Sequence, residues 1–99
     1  MKKFIYLYFG GNNTPSTPEE GKQVMDKWMA YFNKLGSHIV DGGAPFGERK
    51  VVNGETLSDV GGYSIISAES IDEAVSLTEG LPHLETGGRV EVIECMPVM

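Results

Sequence analysis

Cysteine is nearly missing from this chain. Cys95 stands alone, so no internal disulfide can form, and the lack of a second thiol fits a reducing, cytoplasmic setting. Histidine is almost as scarce. His38 and His83 are far apart with no thiol at ligand spacing, and the acidic residues show no calcium-loop pattern, so no metal site is expected. Positive charge is thin as well: eight Lys and Arg face fourteen Asp and Glu, for a net charge of −6, and the bases form no stripe. Nucleic acid and anionic membrane surfaces are therefore poor partners.

Long apolar runs are also lacking. Lys2 and Lys3 followed by Phe4 to Phe9 imitate a secretory leader, but the run is too short for one and far below a membrane span. It reads as a first strand. "GGNNT" (10–14) has neither the lysine nor the spacing of a phosphate loop. Ser64, Ser67 and Ser70 have no nucleophile-elbow context, and no redox-cofactor fingerprint appears, so no cofactor is expected. A chain of 99 residues makes one domain, 1–99, with a single modest core.

What is present organises itself around two helices. Thr17-Pro18-Glu19-Glu20 supplies an N-cap, a proline at the first helical position and a glutamate three residues after the cap. Val24, Met25, Trp28, Met29, Phe32 and Leu35 then recur at three- and four-residue steps until Gly36 stops the helix. Ser70-Ile71-Asp72-Glu73 repeats the capping pattern for a shorter helix ending near Gly80. Strands are expected over Ser37–Asp41, Gly62–Ala68 and Arg89–Met96, with an inserted hairpin turning at Asn53-Gly54.

This order is an α+β plan, βαββαβ with one decoration. Right-handed crossovers and interleaving give an antiparallel sheet ordered 4-1-3-2 with both helices on one face. Ile5, Leu7 and Phe9 are assigned to the helix side. Phe4, Tyr6 and Tyr8 are then left on the opposite side, where so much apolar surface calls for a cover, most simply a second copy of the chain packed sheet against sheet.

The stretches "FIYLYFGGNNTPSTPE", "VDGGAPFG", "GYSIISAESIDEAVSL" and "LPHLETGGRVEV" together resemble the YCII-related family, in its branch marked by an Asp-Gly-Pro-Phe (DGPF) segment. The resemblance implies a ferredoxin-like sandwich whose sheets pair into a dimeric α/β barrel. It also implies a suggested enzymatic role built on a histidine and an aspartate, and for some members an association with transcription regulation. In the plainer relatives the histidine lies on the first helix and the aspartate before the last strand. Here the first helix has no histidine and Leu81-Pro82-His83 stands before the last strand, so only a rearranged pair, Asp41 with His83, can replace that dyad.

"HIVDGGAPFG" (38–47) brings Asp41 to the end of an edge strand, among glycines. In the 4-1-3-2 order Gly10-Gly11, Gly42-Gly43, Gly61-Gly62 and Gly87-Gly88 gather at one end of the sheet, a rim where backbone can approach a ligand closely. Asp41 and His83 share that rim but belong to opposite edges, three strand spacings or roughly 14 Å apart. Asp41 is equally suited to bonding its own turn. His83 is placed in a short polar loop, as an acid or base or as a plain capping residue, and His38 is assigned to solvent. Tyr6, Tyr8 and Phe46 are the candidate substrate-binding residues of a cavity for a small organic molecule, and Trp28 is assigned to the core. Two functions follow: proton transfer of lyase, isomerase or hydrolase type, or a non-catalytic ligand-binding or regulatory dimer.

Overall fold

The computed structural model describes residues 1–10, 17–55 and 59–97. Thr17 caps helix α1 (Pro18–Leu35) as its sequence demands: the hydroxyl accepts the Glu20 N–H at 3.1 Å, Pro18 opens the helix, and Gly36 closes it at φ +56°. Ser70 caps α2 (Ile71–Ser76) in the same way, accepting from Glu73 N at 3.2 Å. A further turn of helix, α3 (Pro82–Glu85), follows Gly80, whose φ of +83° lets the chain reverse. His83 sits on α3, in a helical turn instead of the polar loop assigned from sequence.

Strands β1 (Lys2–Gly10), β2 (Ile39–Asp41), β3 (Val60–Ala68) and β4 (Gly88–Cys95) form one antiparallel sheet in the order β2-β3-β1-β4, the expected 4-1-3-2 order read from the other edge. A short 3-10 turn, Gly36–His38, replaces the start of the expected second strand. β1 is central, with Tyr6 opposite Ser64 on β3 and Val92 on β4. Asn53 and Gly54 do take positive φ (63° and 155°), but the segment around them forms a bend and no paired strands among the described residues, so the inserted hairpin is not seen there. Its expected second arm, at 56–58, and the asparagine segment at 11–16 lie outside the described residues.

The two faces of β1 are the reverse of the expected assignment. Phe4, Tyr6 and Tyr8 lie under the helices, packed with Tyr31, Leu35, Ile66, Ala68, Ala74 and Leu81, whereas Ile5, Leu7 and Phe9 are half-buried on the open face. The hydroxyls explain the choice. Tyr6 donates to the Ala74 carbonyl of α2, and Tyr31 donates to the Leu77 carbonyl at 2.8 Å, so tyrosine under the helices satisfies carbonyls at the end of α2 that an aliphatic side chain would leave bare. Tyr31 also takes the place expected of Met25 and Met29, which are 63% and 60% exposed. The open face still carries apolar residues, now Ile5, Leu7, Phe9, Ile65 and Ile93.

Candidate functional site

A cavity of about 520 Å³ opens between α1, the glycine-rich end of the sheet and α3. Its formation follows from local sequence. After Asp41 the chain continues along β3 without a full strand: Tyr63 N donates to Ala44 O at 3.3 Å, Phe46 N donates to Gly61 O at 2.8 Å, and Pro45 bridges Gly62. Gly43, at φ +77°, permits this approach, since a Cβ there would stand 1.7 Å from the Tyr63 carbonyl oxygen. Gly10, Gly42, Gly43, Gly61 and Gly62 border the cavity, so much of the glycine rim read from the sequence lines it, whereas Gly87 and Gly88 are not among its lining residues and Gly11 lies outside the described residues.

Aromatic rings make the opposite side. Trp28 lies edge-on to Tyr8 with ring centroids 5.4 Å apart, and Phe32 lies 5.6 Å from Trp28. The Tyr8 hydroxyl donates to Ser64 Oγ at 2.7 Å, and Ser64 Oγ donates to the Gly42 carbonyl at 2.8 Å. Burial pushes the Tyr8 phenol up to about 12, against a smaller lowering by Ser64, so Tyr8 is a neutral phenol at physiological pH. Among the described lining residues no side chain is Asp, Glu, Lys or Arg.

His83 borders the same cavity and is only 3% exposed. Its ring lies 5.4 Å from that of Tyr8, and Nε2 is 2.8 Å from the Phe9 carbonyl oxygen. A carbonyl can only accept, so Nε2 carries a proton and donates it to Phe9. Helix α3 holds this ring in place: Pro82 starts the turn and Thr86 Oγ1 donates to the His83 carbonyl at 2.9 Å.

The other expected site residues divide. Tyr8 lines the cavity, whereas Tyr6 is fully buried in the core with its hydroxyl committed to Ala74. Phe46 is 42% exposed and stacks on Tyr63 at 5.8 Å, outside the cavity lining. Asp41 is exposed and also outside it. Its carboxylate accepts from Gly43 N at 2.8 Å and from the Tyr63 hydroxyl at 3.4 Å, a turn bond and a tether that involve nothing of His83. Asp41 pairs with Ile65, a half-exposed open-face position, while His83 lies on the helix side, so this chain does not bring the rearranged dyad together. His38, assigned to solvent, is half-buried with Nδ1 2.7 Å from the Ser67 carbonyl oxygen.

Trp28, Phe32 and Ser64 are among the lining residues that the sequence reading does not offer as site candidates. Trp28 is assigned to the core and Phe32 shares its apolar helix periodicity, which alone cannot separate core from a cavity wall. Ser64 did leave a signal, as the one hydroxyl in the buried parity track of Gly62, Ser64, Ile66 and Ala68.

This arrangement defines an α+β ferredoxin-like domain with a concave, weakly polar site at one end of its sheet. The chain matches the YCII-related domain over residues 1–98 and belongs to that family. No match is found among curated proteins. Among solved structures it is similar to 5-chloro-2-hydroxyhydroquinone dehydrochlorinase (TftG) from Burkholderia phenoliruptrix AC1100 in complex with 2,5-dihydroxybenzoquinone. The two share 21% sequence identity, and the likeness covers 95% of this chain and 93% of that one with a TM-score of 0.58. At that identity the likeness concerns the fold.

Proposed function

We propose that this protein is a small-molecule enzyme of lyase or isomerase type in which His83 moves a proton. The observation that carries the reading is His83 itself: a buried histidine on a cavity wall, its ring oriented by the bond from Nε2 to the Phe9 carbonyl. In such a reaction the His83 imidazole takes a proton from a carbon of the guest. The C–H electron pair forms a new double bond as a leaving group departs with its own pair, or the imidazolium returns the proton to a different carbon. The dehydrochlorinase name and ring ligand of the structural relative support chemistry of this kind. Two copies packed through the open sheet face, Ile5, Leu7, Phe9, Ile65 and Ile93, make the working unit in this reading.

A non-catalytic ligand-binding or regulatory dimer is the second reading, and the separation of Asp41 from His83 favours it. The two are told apart by substitution. His83→Ala abolishes turnover of a substrate found by screening, with ligand affinity and dimer mass retained, if proton transfer is the task. Unchanged turnover in that variant, or ligand binding with no turnover across the screen, assigns the protein to the second reading.

A further inference from the structure

We infer that the cavity binds a small organic monoanion of the carboxylate kind as the partner of a protonated His83, so that anion and proton enter together, and that it takes only uncharged guests while His83 is neutral. The inference deepens the small-molecule reading above and rests on it for His83. The charge available on the walls decides the class. None of the described lining residues is Asp, Glu, Lys or Arg. The Tyr8 and Ser64 hydroxyls spend their protons within the protein, on Ser64 Oγ at 2.7 Å and on the Gly42 carbonyl at 2.8 Å, and Tyr63 turns its hydroxyl to Asp41. Imidazole alone among the side-chain types present in the lining charges near neutral pH, and it can only charge positively. A cation therefore meets no carboxylate in that lining, a dianion meets half its counter-charge, and a monoanion meets a full one.

The charged groups on the elements around the His83 ring are matched elsewhere. β1 offers the ring a Tyr8 phenol that burial keeps neutral, 5.4 Å away, and the Phe9 carbonyl. β4 offers Gly88, with Arg89 beyond it turned to the Phe9 ring and paired to Asp59 at 3.0 Å. On α1, Lys27 pairs with Glu85 of α3 at 3.6 Å, and both are more than half exposed. A neutral donor accompanies the charge. Trp28 borders the cavity, its indole N–H makes no hydrogen bond to a described residue, and that N–H is not sealed in the core. Val24, Met25, Phe32 and Pro45 also line the cavity, so the anion that fits carries an apolar body. The proton-transfer reading passes through the same state: once His83 holds the guest's proton, a leaving group that departed with its electron pair is an anion beside an imidazolium.

The test is calorimetric binding of hexanoate, hexanamide and hexylamine, one body with three charges, to the full-length protein. The protonated site is the one that holds the anion, so affinity for hexanoate is present in acid and is lost as pH rises through the histidine's titration. Hexanoate is expected to bind at least about tenfold more tightly at about pH 5.5, where an aliphatic carboxyl is already ionised, than at about pH 8. Hexanamide keeps one affinity at both and overtakes hexanoate at the higher pH, and hexylamine binds at neither. Above neutrality, titrations in two buffers of different ionisation enthalpy show one proton taken up per hexanoate bound. His83→Gln keeps a donor for the Phe9 carbonyl and removes the titration, so hexanoate binds weakly and without pH dependence. Equal hexanoate affinity at the two pH values, binding without proton uptake, preference for hexylamine, or no hexanoate binding in acid overturns the inference in the unmodified protein, whether or not the variant folds. The outcome is separable from that of the proton-transfer reading. Proton-linked hexanoate binding in a protein whose His83→Ala form turns over substrate normally leaves this inference standing and removes the other; His83-dependent turnover with pH-independent hexanoate binding does the reverse.

Discussion

A Cβ built on Gly88 would stand 2.2 Å from Nε2 of His83. The first residue of β4 thus gives the histidine its place by having no side chain, and the ring packs on bare backbone while bonding Phe9 of the neighbouring strand. Gly88 is not in the left-handed region, so alanine there carries no backbone strain and its effect is steric alone.

Gly88→Ala is expected to push the His83 ring off the Phe9 carbonyl, reducing turnover at least tenfold by misplacing the base. Overpacking of this kind costs about 1–3 kcal/mol, which for a domain this size lowers Tm by roughly 4–24 °C. Thermal unfolding and the rate are measured together. A variant with unchanged Tm and unchanged rate would show that His83 is not held by this contact.

Gly43→Ala is the second expectation. Its Cβ would meet the Tyr63 carbonyl carbon at 2.6 Å and its oxygen nearer still, at a φ of +77°. The Gly42–Pro45 wall must therefore move away from β3, breaking the Tyr63 N to Ala44 O bond. Ligand affinity falls more than stability does, because the wall is at the sheet edge and the core beneath β1 is untouched. Hydrogen exchange at Tyr63 reads the broken bond directly; retained protection there, with normal ligand affinity, contradicts the assignment.

How much of this was readable from the chain depends on which force set each feature. The helix starts at Thr17 and Ser70 and the stop at Gly36 were legible because capping is local chemistry, confined to a few residues. Strand order followed from connection rules alone. The facing of β1 was not legible, because Phe4, Tyr6, Tyr8 and Ile5, Leu7, Phe9 are both bulky sets, and what separates them is the position of the Ala74 carbonyl 68 residues away from Tyr6. His83 was recognisable as a candidate by chemistry. Its burial came from α3, a single turn too short to announce itself by periodicity. Asp41 was legible as a turn former, and the tether to Tyr63 required the third dimension.

Tyr6→Phe tests the reversed facing. The substitution leaves the ring in place and removes the hydroxyl that donates to Ala74 O, in a site with 0% exposure for Tyr6. An unmet buried carbonyl costs about 1–3 kcal/mol, read as a fall in the urea midpoint at unchanged slope. Tyr63→Phe, whose hydroxyl makes a 3.4 Å bond to exposed Asp41, is expected to change stability far less. Equal effects of the two would deny Tyr6 its place under the helices.

Alkaline pH provides an independent reading of the same core. Burial raises the Tyr8 phenol to about 12, and burial together with neighbouring tyrosines raises Tyr6 and Tyr31 as well. The native state holds these protons more tightly than the unfolded chain, which releases them near 10, so the stabilisation is full below pH 10 and is lost as pH climbs through 12. Tyr8 alone accounts for about 3 kcal/mol of that loss. Tyrosinate absorbance is expected to rise for these residues together with loss of circular dichroism. Ionisation of Tyr6, Tyr8 and Tyr31 near pH 10 with the fold intact would contradict their burial.

The open sheet face sets the last expectation. Leu7 lies at the middle of β1 on that face, between Tyr63 on β3 and Glu91 on β4, and is half-buried within a single chain. Together with Ile5, Phe9, Ile65 and Ile93 it makes an apolar surface that water covers poorly, while Arg89 closes one end of it over the Phe9 ring at 5.0 Å and pairs with Asp59 at 3.0 Å. Self-association through this face buries the apolar centre and leaves the charged end at the rim. Light scattering at micromolar concentration is then expected to give twice the chain mass, and Leu7→Glu to give the single-chain mass with circular dichroism and Tm close to those of the parent. A glutamate there has no effect on the core, because the helix side of β1 carries Tyr6 and Tyr8. Single-chain mass for the unmodified protein would sink the pairing, and an unchanged double mass in Leu7→Glu would move it to some other surface.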